Sequence, residues 1–433
     1  MMNKRILNLA IPSIISNITV PLLGLVDVTI VGHLGSASYI GAIAVGGMLF
    51  NMLYWSFGFL RMGTSGMTAQ AYGRGDRTKI TRLLVRALGI GTAIGILFIL
   101  VSPGIQWGAF RLIDATPEVE MYARTYFHIC IWGAPAVLCL YGFTGWFVGM
   151  QNSRVPMMVA ILQNLINIVV SVCLVFCFGM KVEGVAYGTL VAQYSGVALA
   201  LFWWNRYFGT YRKGVSLTGS FRLRDMRTFF IVNKDIFLRT LCLMAVTIFF
   251  TSTGARQGDV ILAVNTLLMQ LFTMFSYIMD GFAYAGEALA GRYIGAADPN
   301  SLKRLIRLLF RWGIGFALLF TVLYGAGGEM FLRLLTNDSQ VIAAAGSYFY
   351  WVLTIPIAGF SAFLWDGIYI GATQTRWMFR SMLTASAGFF LTYYLLHPAM
   401  GNHALWAAFI LYLSLRGVIL QLLSKSALRE ALL

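Results

Sequence analysis

Apolar residues fall into long runs at roughly 6–31, 39–62, 83–103, 121–148, 156–178 and 184–204. Six more lie at roughly 229–253, 260–288, 305–328, 341–370, 378–398 and 404–423. About 20 apolar residues in a helix cross the hydrocarbon core of a bilayer. Each run therefore predicts one transmembrane helix, and the longer ones predict tilt or bending rather than extra crossings. Between the two sets lies a polar, basic stretch from Asn205 to Arg227. The pattern predicts an all-α integral membrane protein of about twelve transmembrane helices, with a six-helix lobe over 1–204, a cytoplasmic basic linker over 205–227 and a second six-helix lobe over 228–433.

Charge then orients the chain. Alternate loops carry Arg74, Arg77 and Lys79; Arg154; Arg206, Arg212, Lys213, Arg222, Arg224 and Arg227; Arg292, Lys303 and Arg304; Arg376 and Arg380. The opposite loops hold only Arg111, Lys181, Arg256 and Arg333, with Asp114, Glu118, Glu183, Asp259, Glu329 and Asp338 beside them. By the positive-inside rule the basic loops, both termini and the linker face the cytoplasm, as an even number of crossings requires.

The two halves match each other at a constant offset of 222: Gly73 with Gly295, Asp76 with Asp298, Arg82-Leu83 with Arg304-Leu305, and Gly145, Gly149 and Arg154 with Gly367, Gly371 and Arg376. Six helices return the chain to its starting side, so the repeats are expected to be parallel, related by an axis along the membrane normal. Two lobes flanking a cavity would suit alternating access.

Composition removes several classes of function. The chain is 59% hydrophobic and 11% charged, against about 25% charged in a soluble domain. Its net charge of +16 is spread over short loops and forms no single basic face, so no nucleic-acid partner is expected. Five cysteines within apolar runs (Cys130, Cys139, Cys173, Cys177 and Cys242) do not make a disulfide framework. Met1–Arg5 is too short for a cleaved signal's charged region, and the first run is expected to stay as a membrane segment. His397 and His403 read as outer-loop residues. No phosphate-cradling loop, clustered metal ligands or nucleophile elbow appears, so neither an enzyme nor a bound cofactor is expected.

Ionisable groups inside the bilayer are costly and mark functional sites. Asp27 lies deep in the first run, behind Pro12 and Pro21. A helix proline removes one backbone hydrogen bond and can serve as a hinge. A dry setting favours the protonated acid and water favours the carboxylate, so bending there can be coupled to protonation. Asn164, Asn167 and Ser171 on helix five and Thr189 on helix six can converge on it, Asn167 and Ser171 being one helical turn apart. Arg61 reads as a side chain that snorkels to the cytoplasmic interface. In the second half Asp280 and Glu287 lie two turns apart on helix eight and Asp366 lies on helix ten. Carboxylates facing a cavity would attract cations or protons. Lys234, Asp235 and Arg239 open helix seven and read as a charge network at the membrane surface.

These residues resemble the multidrug and toxic compound extrusion (MATE) family, and within it the DinF-type branch, over nearly the whole chain. The first helix, with Pro12 and an aspartate fifteen residues later at Asp27, is similar to the family's bending helix and coupling carboxylate. The stretches RTLCLMAVTIFFTSTGARQGDVILAVNTLLMQ, SYIMDGFAYAGEALAGRYIGA and WDGIYIGATQTRWM resemble helices seven, eight and ten of that branch. The resemblance implies two six-helix lobes and export driven by entry of protons or sodium. It places Asp27, Asn167 and Thr189 in an ion-responsive cluster, puts Ser171 where many members carry a second aspartate, and matches Asp366 to the acidic position of helix ten.

The reading is an inner-membrane antiporter, monomeric, that exports amphipathic, often cationic, organic compounds in exchange for protons. Asp27, Asn167, Thr189 and Ser171 serve the ion; Asp280, Asp366, Glu287 and Asn164 line the substrate cavity; Pro12 and Pro21 form the hinge. The alternatives are sodium coupling, a flippase for a lipid-linked precursor, which would need a cationic cavity, and a lipid-modifying membrane enzyme, which would need a paired-aspartate or histidine site.

Overall fold

The computed structural model describes residues 2–113, 116–214, 217–336 and 338–432, with the side chains of residues 20, 112, 212–214, 217, 218, 223–225 and 329 also left aside. Asp114 and the side chains of Arg212, Lys213, Arg224 and Glu329 thus lie outside the described residues. The long helices are α1 (Met2–Gly32), α2 (Ala37–Trp55 and Phe59–Arg74), α3 (Arg77–Leu112), α4 (Pro117–Cys130 and Ala134–Gly149) and α5 (Arg154–Val172, ending in a π turn at Cys173–Cys177). They continue as α6 (Val182–Phe208), α7 (Leu223–Arg256), α8 (Asp259–Gly295), α9 (Pro299–Leu335), α10 (Ser339–Gly371), α11 (Thr375–Met400) and α12 (Asn402–Leu432). Eleven of the twelve are long and apolar enough to cross a membrane. The other, α11, has 26 residues, about 39 Å at 1.5 Å per residue, and carries Arg376 and Arg380 in its first turns.

Large apolar side chains point outward, with Leu100 72% and Leu422 75% exposed. Water would not tolerate so continuous an apolar surface, and lipid does. Within the bilayer a helix also satisfies its own backbone polar groups.

The chain forms two compact units. One comprises Ile11–Phe229, the other Phe230–Leu433 together with Met1–Ala10. By their contacts residues 2–10 group with the second unit, and the stretch after α6 groups with the first. Arg86 Nε donates to the Ser220 carbonyl at 2.9 Å, and Tyr211 lies edge-on to the buried Trp146 with ring centres 6.1 Å apart.

Both units repeat the same local devices at the offset of 222. Asp76 accepts from the Lys79 N–H at 2.9 Å and starts α3; Asp298 accepts from the Ser301 N–H at 3.0 Å and starts α9. Each fills a backbone donor that a helix start leaves open. Gly75 and Ala297, one residue earlier, both have positive φ, as do Gln151 and Thr373 after α4 and α10. Gly145 on α4 rests against the Arg61 carbonyl of α2, and Gly367 on α10 against the Ala283 carbonyl of α8. Gly149 sits over the Ser65 carbonyl as Gly371 sits over that of Glu287. In each unit two helices approach through backbone where only a residue without Cβ fits, which is how membrane helices gain contact area.

Candidate functional site

In the first unit, Asp27 of α1 is 6% exposed, its Oδ1 is buried without a hydrogen-bond partner, and among the described residues it forms no ion pair. Within electrostatic reach of it is the hydroxyl of Tyr126 on α4, which also neighbours Thr189 and Cys130. Thr189 of α6 accepts from Asn167 Nδ2 on α5 at 3.1 Å, and Ser171 Oγ donates to Asn167 Oδ1 at 3.2 Å. Asn167 and Ser171 are buried, and the short chain of neutral hydrogen bonds fixes the amide with both of its ends used.

Glycine makes room for the cluster. A Cβ on Gly188 of α6 would run into the Ser171 hydroxyl, and one on Gly46 of α2 into the Tyr126 ring. The structure brings Asn167, Ser171 and Thr189 together through direct bonds, and Asp27 lies within electrostatic reach of the Tyr126 hydroxyl that neighbours Thr189. Asn164 is engaged elsewhere, since its Nδ2 donates to the Thr19 carbonyl of α1 at 3.0 Å, tying α5 to the backbone two residues before Pro21. Helix α1 stays helical through Pro12 and Pro21. Its large residues Ile11, Ile15, Ile18, Leu22 and Leu25 are exposed, so few packed side chains hold it in place. Arg61 is buried rather than extended to the interface.

In the second unit the acidic residues are not alone. Asp366 of α10 is gripped by two guanidiniums through one oxygen: Arg239 of α7, and Arg416 of α12 at 2.6 Å. All three are buried. Arg416 also lies 5.4 Å from the centre of the Tyr412 ring and feels the charge of Asp280 on α8. Arg239 therefore belongs to an interior network and not to a surface one. The pull of Asp366 on a cationic guest is cancelled by its partners. Asp235, read as part of the same surface network, is buried and accepts from Thr375 of α11 at 3.3 Å, whereas Lys234 is exposed. Glu287 is buried on the half of α8 that faces Gly371. Toward the other end, Asn265 and Asn402 exchange two hydrogen bonds of 2.9 Å, and Trp406 Nε1 adds a third to Asn265 Oδ1 at 2.9 Å.

Several residues of these networks, Asn265, Asn402 and Trp406 as well as Arg416 and Tyr126, escaped the sequence reading. Arg416 stands inside the last apolar run and had the same signal as Asp27, a lone charge at membrane depth. Tyr126 offered none, because tyrosines are common in membrane helices and only its neighbours single it out. His403 is not a plain loop residue either: it opens α12 and accepts from Trp351 Nε1 at 3.2 Å.

Comparison with known proteins agrees with this architecture. The profile of the MatE family matches residues 12–173 and again 236–394, one copy in each half. DNA damage-inducible protein F of Escherichia coli is 39% identical over 419 residues, covering 96% of this chain and 90% of that protein. The chain belongs to the MATE family of transporters. It is thus a multi-pass membrane transporter and not an enzyme. A probable multidrug resistance protein NorM of Rhizobium meliloti is 24% identical, covering 72% of this chain and 67% of the relative. Protein DETOXIFICATION 44, chloroplastic, of Arabidopsis thaliana is 23% identical over 95% of this chain and 80% of its own length. The crystal structure of a MATE protein in the bent conformation superposes with a TM-score of 0.89 at 17% identity, covering 99% of this chain and 96% of that one.

Proposed function

We propose that this MATE transporter is a proton-coupled antiporter of the inner membrane that exports amphipathic organic compounds by alternating access, with Asp27 as the group that takes up and releases the proton. The observation that carries this reading is the buried Asp27 carboxyl with one oxygen unpartnered, on a helix with two internal prolines and little packing. A carboxyl so placed changes its protonation when its contact with water changes, and a change of charge shifts the balance between two conformations. Asn167, Ser171 and Thr189 supply only neutral oxygens. Sodium gains most from several oxygens that include more than one carboxylate, whereas a proton needs one basic site. Ser171 in place of a second carboxylate therefore favours the proton. Both termini are placed in the cytoplasm, on the charge pattern of the loops, and the chain is taken to work as a monomer.

In the second half Arg239 and Arg416 are both bonded to Asp366, and the carboxyls of Asp235 and Glu287 are buried as well. Arginines already held by an acid suit amphipathic cargo better than the pyrophosphate of a lipid-linked precursor, which needs free cationic groups. The test is dye efflux from liposomes under separately imposed pH and sodium gradients. The expected outcome is transport driven by the pH gradient and abolished in Asp27→Asn, with protein yield and elution profile unchanged. Uphill efflux driven by sodium alone at equal pH, with protonophore present, would overturn the coupling ion. Undiminished transport by Asp27→Asn would remove that residue from the mechanism.

A further inference from the structure

Helices α9 and α12 both pack on α10 and leave a cavity of about 640 Å³ between them at one end of the second unit. Its rim carries four cations, Lys303 and Arg307 on α9 and Lys425 and Arg429 on α12. Each pair is spaced by four residues and so lies on one helical face. Among the described residues no carboxylate lines it. Of the two acids adjacent in sequence to its lining residues, Asp298 caps the start of α9, and Glu430 is taken up by Arg376 Nη2 at 2.6 and 2.8 Å and by Trp377. The floor is aromatic: Phe310 and Trp365 have ring centres 5.3 Å apart, and Trp365 Nε1 donates to Gln421 Oε1 at 2.9 Å.

Gln421 also borders a second, mostly apolar hollow of about 440 Å³ between α10 and α12, lined by residues that include Ile357, Ala358, Val418 and Leu422. The feature thus runs from a cluster of positive charge, past an aromatic floor, to side chains that are more than half exposed on a lipid-facing surface. It is not a by-product of the internal repeat. At the offset of 222, the positions of Lys303 and Arg307 are Thr81 and Val85 in the first half.

We propose that this groove binds one anionic phospholipid. Lys303, Arg307, Lys425 and Arg429 hold the headgroup phosphate, and an acyl chain passes Trp365 into the hollow beside Ala358. The charges lie on the loop and terminus that the positive-inside pattern assigns to the cytoplasm, where anionic lipids attract basic side chains. A soluble acidic partner would satisfy the cations and leave the adjoining hollow empty. A lipid satisfies both.

The test is native mass spectrometry of the delipidated full chain, offered phosphatidylglycerol or phosphatidylcholine with the same acyl chains. The expected result is one retained phosphatidylglycerol per chain, with weaker retention of phosphatidylcholine. Lys303→Gln/Arg307→Gln/Lys425→Gln/Arg429→Gln should reduce the anionic preference by roughly six hundredfold, since each basic group near a membrane surface contributes roughly fivefold. Ala358→Phe, which fills the chain hollow without touching a charge, should weaken retention of phosphatidylglycerol while leaving its preference over phosphatidylcholine. Equal retention of the two lipids by the unaltered chain, or an unchanged preference in the fourfold variant, would overturn the proposal. So would displacement of phosphatidylglycerol by excess inorganic phosphate, because the site would then recognise a bare anion and not a lipid.

Discussion

The Asp366 triad allows a prediction that separates a structural charge network from a cation-binding one. Asp366→Asn keeps the shape and removes the negative charge in direct contact with two buried guanidiniums. At charge-centre separations near 4 Å and an effective dielectric constant of about 20, each attraction is worth about 4 kcal/mol before desolvation is counted. Part of the gross loss is returned by relaxation and by Asp280, which also acts on Arg416. Removing one partner of a buried pair typically costs about 3–5 kcal/mol because the remaining charge is left uncompensated, and that is the expected loss here. Arg416→Gln leaves the Arg239–Asp366 pair intact and should cost less. The double variant Asp366→Asn/Arg416→Gln removes one charge of each sign and should be more stable than Asp366→Asn alone. Thermal unfolding of the four proteins in one detergent, followed by fluorescence-detected size-exclusion chromatography, gives the order. An Asp366→Asn protein as stable as the parent, or a double variant less stable than either single one, would refute the reasoning.

Two further predictions concern packing. Gly145→Ala and Gly367→Ala each drive a methyl group into a backbone carbonyl of the facing helix, an overpacking expected to cost about 1–3 kcal/mol, whereas Gly24→Ala, with nothing within 4 Å, should leave unfolding unchanged; equal effects in all three would contradict the close approach. Asn265→Leu leaves Asn402 and Trp406 buried without their partner, with an expected loss of about 1–3 kcal/mol per unsatisfied group, and Asn265→Leu/Asn402→Leu, checked in the same thermal assay, should lose less than twice the single change.

Much of the fold is legible because its causes are periodic and local. Hydrocarbon thickness sets helix length, and the helices seen over 6–31 or 341–370 are those the apolar runs predict. The repeat is legible because glycines at 145, 149, 367 and 371 serve backbone contacts that no other residue fits, so both halves keep them in register. The unit boundary is not legible. Whether the first ten residues pack with one half or the other depends on tertiary contacts that hydropathy does not encode. The two pieces of α2, divided at Ser56–Gly58, read as one apolar run because a short break changes backbone direction and not polarity.

The sites divide along the same line. A carboxylate such as Asp27 stands out in a sequence because burying charge is expensive, so its mere presence is informative. Whether that charge is available is a property of partners far away in the chain. Asp27 and Asp366 look alike as isolated acids in apolar runs, yet one has an unpartnered oxygen among neutral neighbours and the other is held by two arginines from helices α7 and α12. Sequence reasoning assigned both a part in binding something small and positive. The first can change protonation without breaking an ion pair, so it can respond to water. The second would have to surrender two charge-assisted hydrogen bonds to do the same, each worth more than a neutral one, and those bonds tie α10 to α7 and α12.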